Sequence, residues 1–414
     1  MNSKATPSYL TESTDILLAD VAIRIQLRPT HYNMAVERYQ KICKLIERGN
    51  SPLKDYVDLF YPQGSMAIGA TIASKLKTDE FDIDIAAQLD LPECVLPNEP
   101  LDLLFEAIRG EPGSQYYEMT KRKPRCITVS YSDKMHLDVT PLIRRKDTRE
   151  RESWIFHHKP EAPSESGRAI TNSYGVAEWF KDNTPLDQDF ANLFEKRASE
   201  YERMVILAEA EREPVPEHEP PFRKSKAVIV LQLLKRWRNV QYDERSERRP
   251  PSILLSKLVA DAANHTDRLS EELLHQAQQM FSVFKKCHDE RRRIRVVNPV
   301  CNQDVLTDRW PKTLQDQAIF IRDLENLVAQ VKKMVAGCDL GEMKEIMVKL
   351  FGEAPTTDVF RAFNEHVGDQ VRTGQSQYRQ DTGSLIVPTT TATSVTSPSS
   401  ATRTRKHTFY GKET

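Results

Sequence analysis

Three acidic residues in apolar, strand-like segments are the part of this sequence best able to do chemistry. Segment 81–85 reads Phe-Asp-Ile-Asp-Ile. Side chains alternate across a strand, so its apolar residues enter a core while Asp82 and Asp84 share the opposite face. Asp138 lies within the similarly apolar segment 135–139, which predicts a neighbouring strand carrying a third carboxylate. Three such oxygen donors favour a hard cation, Mg²⁺ or Mn²⁺.

Nucleotidyl transfer is the chemistry that these carboxylates predict. In that reaction a hydroxyl attacks the α-phosphate of a nucleoside triphosphate. Two metal ions, about 3.5–4 Å apart, activate the hydroxyl and stabilise the pyrophosphate that leaves. Gly64 and Ser65 follow a strand-like run at 57–60. Glycine in a tight turn lets phosphates approach the backbone amides, and serine adds a hydroxyl donor, so this pair predicts a site for the β- and γ-phosphates.

Further segments complete a recognisable pattern. Together with the motifs above they resemble the polymerase-β-like nucleotidyltransferases, and among these the bacterial cGAS/DncV-like nucleotidyltransferases (CD-NTases). The resemblance is carried by segments 63–65, 69–72, 82–84, 136–139, 230–238, 250–255, 298–300 and 308–311. CD-NTases make cyclic oligonucleotide second messengers in antiphage CBASS systems. The resemblance implies an α+β fold, in which a polymerase-β-like nucleotidyltransferase lobe with a mixed sheet faces a helical C-terminal lobe across the active-site cleft.

The resemblance also implies roles for individual residues. Asp82 and Asp84 would hold two Mg²⁺ (or Mn²⁺) ions, and Asp138 would complete the site of the ion that lowers the pKa of the attacking hydroxyl. Lys235 and Ser252 would contact the triphosphate of ATP or another ribonucleoside triphosphate, with Ser252 as a helix N-cap. From sequence alone, Lys235 is equally consistent with a solvated lysine, and Ser252 with an N-cap that binds no ligand. The implied product is a cyclic di- or trinucleotide.

Two other functions are compatible with these residues. A template-independent RNA-tailing nucleotidyltransferase would use the same three carboxylates to extend an added RNA. A catalytically idle nucleotide-binding protein would regulate a partner without releasing pyrophosphate. A P-loop kinase is excluded because no Gly-x-x-x-x-Gly-Lys run lies near the acidic residues.

Hydrophobic periodicity outlines the elements that must position these residues. It predicts helices at 32–48, 101–108, 177–207, 225–242, 270–284 and 313–335, and a strand pair at 126–129 and 135–139. We expect Pro141 to end the second strand, because proline removes a donor from the ladder, and the prolines within 214–221 to interrupt the helices. The predicted organisation is a nucleotidyltransferase catalytic lobe at 1–215, a helical lobe at 216–373 and a flexible Thr/Ser/Pro-rich tail at 374–414 with a basic, aromatic end.

The overall composition is that of a cytoplasmic enzyme. A net charge of −1 argues against a general polyanion binder. Basic runs at 121–123, 144–146 and 291–293 remain able to contact a triphosphate, a nucleic acid or only water. Six cysteines without a CxxC pair predict neither a disulfide framework nor a zinc ribbon. No apolar stretch approaches the ~20 residues that a membrane span requires.

The predicted tail is a candidate for partner binding. A linker that ends in a short basic and aromatic peptide is typical of segments that dock on another protein. The family resemblance implies a HORMA-domain regulator that closes around the tail, or a conjugating enzyme that acts on the C-terminus. Activation by a protein or by a nucleic acid is left open by the sequence.

Overall fold

A seven-stranded mixed sheet forms the framework of the catalytic region. The computed structural model describes residues 13–73, 81–146, 148, 151–209, 223–263 and 266–373, with three further short strands beyond them. The strands of the main sheet are β1 (Val57–Pro62), β2 (Phe81–Leu89), β3 (Thr120–Arg122), β4 (Ile127–Ser130), β5 (Met135–Arg144), β6 (Ser153–His157) and β7 (Gly167–Thr171). Strands β2 and β5 are parallel, whereas the other neighbouring strands are antiparallel. The sheet order is β1-β2-β5-β4-β3, and β6 joins β5 to β7.

Helices precede, interrupt and follow this sheet. In the described chain they are α1 (Ser13–Ile25), α2 (Pro29–Ile46), α3 (Gly64–Ala67), α4 (Glu99–Arg109), α5 (Ser173–Asn183), α6 (Gln188–Glu209), α7 (Lys226–Gln241), α8 (Ser252–Ala262), α9 (Leu269–Asp289), α10 (Leu314–Ala336), α11 (Leu340–Phe351) and α12 (Glu353–Arg372). A hairpin of β8 (Val297–Asn298) and β9 (Cys301–Val305) separates α9 from α10. Each predicted helix therefore corresponds to an observed one, and the 177–207 prediction spans two of them.

Two hydrophobic cores do not divide the chain where the sequence suggested. The first lies under the sheet and includes Ile83, Leu104 and Leu137. The second belongs to the helical lobe, yet it takes in Leu17 of α1 and Phe190 of α6, both of which precede residue 215. Helix α1 packs against α7, α9 and α12. Packing thus assigns the N-terminal helix to the helical lobe, although the sequence places it in the catalytic lobe.

The strand that carries Asp138 is longer than predicted. It does not end at Pro141, which pairs with Ala87 in the parallel ladder, but continues to Arg144. On its other edge, pairing with β4 stops at Val139 and pairing with β6 begins at Leu142. Pro141 lies in that gap between antiparallel partners, where a missing N–H group is tolerated.

Three short strands fall within the segment predicted to be a flexible tail. Strand β10 (Gln377–Arg379) pairs in antiparallel fashion with β11 (Leu385–Ile386) and with β12 (Ala401–Arg403). The remainder of 374–414, including its basic and aromatic end, lies outside the described residues. So does the predicted lobe boundary at residue 215.

The described residues also bear on membrane insertion and on thiol chemistry. None of the helices in the described ranges is both long and apolar enough to cross a bilayer. All six cysteines fall in these ranges and are free. The stability of this part of the fold therefore depends on its two cores and not on cross-links.

An aromatic cluster at the centre of the helical lobe gives a test of that core. The ring of Phe320 is fully buried and lies 5.0, 5.4 and 5.7 Å, centroid to centroid, from Phe284, Trp310 and Trp237. Replacing it by alanine should lower the free energy of unfolding by about 3–5 kcal/mol, through lost burial and the cavity left behind. Denaturant unfolding would measure this. Leu314→Ala, an exposed position on the same helix, should cost less than about 0.5 kcal/mol.

Candidate active site

Three carboxylates share one face of the two parallel central strands. Asp82 and Asp84 are two residues apart on β2, so their side chains point the same way. Asp138 on β5 pairs directly with Asp84 in the parallel register, and His136 pairs with Asp82. The structure therefore brings the predicted acidic residues together. The intervening Ile83 and Leu137 are buried in the sheet core and fix the orientation of both strands.

The environment of Asp82 and Asp84 disfavours their ionised forms. The protein around Asp84 raises the pKa of its carboxyl group to about 7, first because burial removes water and then because Asp138 and Asp82 are negatively charged. The pKa of Asp82, whose side chain is more exposed, is also raised, first by partial loss of water and then by the charge of Asp138. A cluster of this kind lowers its free energy by binding a cation.

Asp138 is held by neighbours on the same side of the sheet. The Thr128 hydroxyl donates a hydrogen bond to Asp138 Oδ1 from the adjacent strand β4. The Lys123 ammonium lies 3.5 Å from the same oxygen, and its side chain is half exposed. Thr128 therefore orients the third carboxylate. Lys123 belongs to the basic run at 121–123, which the sequence analysis left able to contact a triphosphate, a nucleic acid or only water. Sequence reasoning did not identify a role for Thr128.

Gly64 lies directly against the second carboxylate. Its φ is +58°, and a Cβ atom placed on it would come within 2.6 Å of Asp84 Oδ2. The preceding residue, Gln63, donates its backbone N–H to the Asp84 carbonyl at 2.9 Å. Only glycine combines this left-handed backbone with so close an approach to the carboxylate. The predicted turn is the start of the short helix α3.

A second turn supports Ser65 from behind. The Ser65 carbonyl accepts the Ala70 N–H at 2.9 Å, and the Thr71 hydroxyl lies 3.3 Å from Ser65 Oγ. Helix α7 holds that turn, since Gln232 Nε2 donates to the Thr71 carbonyl at 3.1 Å and Lys235 Nζ to the Ala70 carbonyl at 2.7 Å. The position of Ser65 therefore depends on buried polar side chains of the helical lobe.

Cationic side chains line the cavity opposite the carboxylates. This cavity, of about 250 Å³, is bounded by Gly64, Ser65, Asp82 and Asp84 on the sheet side and by Lys235, Arg238, Arg249 and Ser252 on the helical side. Burial and the charge of Arg238 lower the pKa of Lys235 to about 7. Burial and the charge of Arg249 lower the pKa of Arg238 to about 9. An anion bound among these groups would stabilise their charged forms and so raise their pKa values again.

Ser252 occupies a different position from the one predicted. It is the first residue of α8, and the N-cap is Pro251, whose extended backbone offers no side-chain cap. The Ser252 hydroxyl accepts a hydrogen bond from Arg238 Nη1 at 3.0 Å. Its expected role as an N-cap is therefore wrong, although it does face the cavity that contains Lys235 and Asp84.

A larger cavity adjoins the first and has a more apolar wall. Its volume is about 500 Å³, and it shares Gly64, Asp84, Ile253 and Ser256 with the smaller cavity. Apolar side chains from β6, β7, α5 and the β8–β9 hairpin line it: Ile155, Ile170, Val176, Trp179, Val305 and Leu306. A cationic cavity next to one whose wall is partly apolar matches the two ends of a nucleoside triphosphate.

Comparison with known proteins identifies the family. Residues 14–158 match the Second Messenger Oligonucleotide or Dinucleotide Synthetase domain. The chain is 36% identical over 376 residues to the cyclic dinucleotide synthase CdnG of Bradyrhizobium diazoefficiens, covering 90% of this chain and 88% of that one. This protein is a CD-NTase. It is a nucleotidyltransferase that makes cyclic oligonucleotide second messengers, as the sequence predicts.

Other comparisons agree on the fold. A structure of the same Bradyrhizobium CD-NTase in complex with GTP superposes with a TM-score of 0.74 over 86% of this chain and 99% of that one. A c-di-GMP synthase of Roseivirga ehrenbergii is 25% identical, over 85% of this chain and 88% of that one. The E. coli CdnC in complex with HORMA, at 15% identity and a TM-score of 0.53 over 82% of this chain and 97% of that one, shares the fold. The α+β fold class predicted from the sequence is confirmed.

The donor set of this CD-NTase fits the divalent metal that its family implies. Within the described residues, no group of three His, Cys, Asp or Glu side chains is arranged to hold an ion unaided. Asp82 and Asp84 are nevertheless neighbouring hard oxygen donors with raised pKa values. Mg²⁺ in nucleotide enzymes commonly takes one or two carboxylates and completes its shell with phosphates and water. Such a site is therefore completed by the substrate.

Three functional candidates escaped sequence reasoning. Arg238, Asn239 and Arg249 form a connected group on the cavity wall, in which Arg238 Nη2 and Arg249 Nη1 both donate to Asn239 Oδ1, at 2.8 and 3.3 Å. Arg238 belongs to the 230–238 run, which resembles the family's helical spine and in which the sequence assigned a ligand role to Lys235 alone. Arg249 precedes the Pro-Pro pair at 250–251. Only the fold shows that both reach the same cavity as the acidic residues.

Proposed function

We propose that this CD-NTase condenses two ribonucleoside triphosphates into a cyclic dinucleotide. The observation that carries the proposal is the cavity in which Asp82 and Asp84 face Lys235, Arg238 and Arg249. Negative groups on one wall suit metal ions, and positive groups on the other suit a triphosphate. Related proteins of similar length named as cyclic dinucleotide synthases support a two-nucleotide ring.

The phosphate-binding part of the proposal assigns the cationic wall to the donor triphosphate. Gly64 and Ser65 would lie next to the β- and γ-phosphates, because both line the cavity that also contains Lys235, Arg238 and Arg249. Lys235 would contribute positive charge from α7 while keeping its hydrogen bond to the Ala70 carbonyl. Ser252 is held by Arg238, so its hydroxyl hydrogen remains able to donate to a phosphate oxygen.

The carboxylate part of the proposal assigns the metal ligands. Asp82 and Asp84 would bind two Mg²⁺ or Mn²⁺ ions, and Asp138 would join them at the ion nearer the attacking hydroxyl. Bound there, the ions lower the pKa of that hydroxyl and stabilise charge on the phosphates. Thr128 would keep Asp138 oriented through its hydrogen bond to Oδ1. Asp138 would also be placed to accept the hydroxyl proton.

The reaction balances over two steps. In the first, the hydroxyl of one nucleotide forms a bond to the α-phosphorus of the other, the α–β phosphoanhydride bond breaks, and pyrophosphate leaves. The linear product retains a triphosphate, which would then occupy the cationic wall among Lys235, Arg238 and Arg249. Attack by its own free hydroxyl closes the ring and releases a second pyrophosphate. Each ring therefore corresponds to two pyrophosphates and two protons.

Incubation with labelled nucleotides tests this proposal. The purified full chain, given Mg²⁺ or Mn²⁺ and all four ribonucleoside triphosphates, should yield a phosphatase-resistant product with the mass of a cyclic dinucleotide and two pyrophosphates per ring. The same preparation carrying Asp82→Asn should yield none. A product that grows only on added RNA would support the RNA-tailing alternative. Nucleotide binding without pyrophosphate release in either metal would support an idle binding protein.

We infer that the product signals in antiphage defence, as the products of the family do. A cytoplasmic location agrees with the described helices, none of which can span a membrane. The HORMA regulator, the conjugating enzyme and a nucleic-acid activator remain predictions for the tail and for the basic runs.

A further inference from the structure

Asp304 is a carboxylate in the larger cavity that does not belong to the acidic triad. Asp304 lies on β9 and faces the same cavity as Thr171 and Trp179. Its Oδ2 atom accepts three hydrogen bonds: from Asn298 Nδ2 at 2.9 Å, from the Asn172 N–H at 3.1 Å and from the Thr171 hydroxyl at 3.2 Å. Three donors on a single oxygen hold the side chain in one orientation.

The donors behind Asp304 are themselves fixed. Asn298 is completely buried, and its side chain also bonds the Asn172 carbonyl and the Val300 N–H. Asn172 is the N-cap of α5, where its side chain accepts the Gly175 N–H at 2.8 Å. The hairpin, β7 and α5 thus meet at this carboxylate. Rigid support of this kind is what a recognition group requires.

The other carboxylate oxygen has no such partner. Within the described chain, Asp304 Oδ1 accepts no hydrogen bond, while the three donors to Oδ2 belong to the wall of the cavity or to the buried residues behind it. The pKa of Asp304 is raised by burial, an effect that its hydrogen bonds oppose. A ligand that donates to Oδ1 would therefore complete the hydrogen bonding of a partly desolvated acceptor.

The surrounding wall suits a flat heterocycle. Ile155, Ile170 and Leu306 contribute apolar surface, and the indole of Trp179 lies in the same cavity. The cavity also opens to Gly64 and Asp84, where the phosphates are proposed to bind. A base in this cavity would therefore belong to a nucleotide whose phosphates lie near the metal ligands.

Base chemistry discriminates among the possible occupants. An ionised carboxylate only accepts hydrogen bonds. The Watson–Crick edge of guanine offers two adjacent donors, N1–H and the N2 amino group. Adenine and cytosine place an acceptor nitrogen beside their amino group, and uracil has one donor between two carbonyl oxygens. Each of those three edges would bring an acceptor close to Asp304.

We propose that Asp304 selects guanine, with Oδ1 accepting N–H groups from the Watson–Crick edge of a guanine base in the larger cavity. This inference rests on the proposed function only in taking a ribonucleoside triphosphate as the ligand. It assigns to the β8–β9 hairpin the choice of base, whereas the triad and the cationic wall bind groups that all four nucleotides share.

Binding measurements with nucleotides that cannot react test the proposal. Calorimetric titration with α,β-methylene analogues of GTP, ITP and ATP measures base preference without turnover. The protein should bind the GTP analogue about 10- to 100-fold more tightly than the ATP analogue, with ITP, which lacks the N2 amino group, between them. Asp304→Asn, which keeps the shape of the side chain, should reduce the preference for guanine over adenine to about threefold or less. Equal binding of GTP and ATP analogues by the wild type would overturn the proposal.

Two further variants separate recognition from structural damage. Asp308→Asn removes a carboxylate from the same cavity that is instead paired with Arg125 at 3.2 Å, and it should retain the guanine preference. Thr171→Val removes one of the three donors while keeping the Asp304 carboxylate, and it should weaken the preference without abolishing it. If Asp304→Asn melts early, Thr171→Val still provides the test: an unchanged preference there, in a folded protein, would contradict the proposed fixation.

The outcomes also separate this inference from the proposed function. Guanine-selective binding that depends on Asp304, without any cyclic product from the assay above, would uphold the inference and reject the synthase mechanism. A cyclic product from a protein that binds the GTP and ATP analogues equally would uphold the proposed function and reject this inference. Product analysis of Asp304→Asn should in addition show a larger share of other bases in the ring.

Discussion

Asp84→Asn should abolish synthesis and at the same time make the metal-free protein more stable. Turnover should fall by roughly 10³-fold or more, because the carboxylate between the other two acidic side chains is lost. Stability should rise because the folded protein disfavours the charged form of Asp84, whose pKa it raises to about 7. From the size of that shift, the gain in the free energy of unfolding is on the order of 2–4 kcal/mol at about pH 7.5.

The pH dependence of this gain has a definite sign. An acid whose folded-state pKa lies above its unfolded value costs stability once the unfolded chain ionises, and the cost grows until the folded state ionises as well. The difference between Asp84→Asn and wild type should therefore be small near pH 4, widen up to about pH 7 and stay constant above it. Urea unfolding at several pH values measures this, and a variant less stable than wild type at pH 7.5 would reject the electrostatic argument.

Asp133 provides a control of opposite sign. Hydrogen bonds from Arg38, at 2.8 and 2.9 Å, lower the pKa of its carboxyl group. Asp133→Asn should therefore decrease stability at neutral pH, by less than about 1 kcal/mol because the pair is exposed, and leave turnover unchanged. Mg²⁺ should stabilise wild type and Asp133→Asn, but not Asp84→Asn, since only the last lacks a proposed ligand.

The acidic site was predictable from the sequence because it depends on local periodicity. The two-residue spacing of Asp82 and Asp84, with apolar residues between them, fixes their common face on a strand. That Asp138 lies beside Asp84 could be expected only because apolar residues flank the aspartates in both segments. The structure shows the parallel register directly. A one-residue slip of β5 along β2 would turn Asp138 to the face opposite Asp82 and Asp84.

The cationic wall and Asp304 were not predictable because they depend on long-range packing. Arg249 lies more than a hundred residues after Asp138, and its place in the cavity follows from how α7 and α8 pack on the sheet. The partners of Asp304 come from β7, α5 and β8, which no single motif links. Lone polar residues in a turn or short hairpin have no periodicity that distinguishes a buried recognition group from a solvated one.

The errors of the sequence analysis have local physical causes. Ser252 was expected to cap α8, but proline at 251 already provides the extended backbone of an N-cap, which moves the serine into the first turn. Pro141 was expected to end its strand, but it lies where one antiparallel partner has stopped and the next has not begun. Both prolines occupy positions that proline tolerates. The neighbouring residues determine which tolerated position each of them takes.

Gly64→Ala should inactivate the enzyme through one added methyl group. The new Cβ would lie 2.6 Å from Asp84 Oδ2, well inside van der Waals contact, so the carboxylate must leave its place beside Asp82. Alanine would also carry the strain of a φ of +58°, about 1–2 kcal/mol. Because a displaced metal ligand cannot act on the transition state, we expect kcat to fall by roughly 10²- to 10³-fold.

Gly113→Ala separates the two effects of that methyl group. Gly113 also has a left-handed backbone, with φ of +86°, but a Cβ there would have no atom within 4 Å. The Gly113→Ala variant should therefore lose about 1–2 kcal/mol of stability, as other alanines forced to positive φ do. Its turnover should equal that of the wild type. If Gly64→Ala and Gly113→Ala lowered kcat equally, backbone strain and general destabilisation would explain the loss. If only Gly64→Ala does so while both unfold at similar denaturant concentrations, contact between the turn and Asp84 is what the reaction requires.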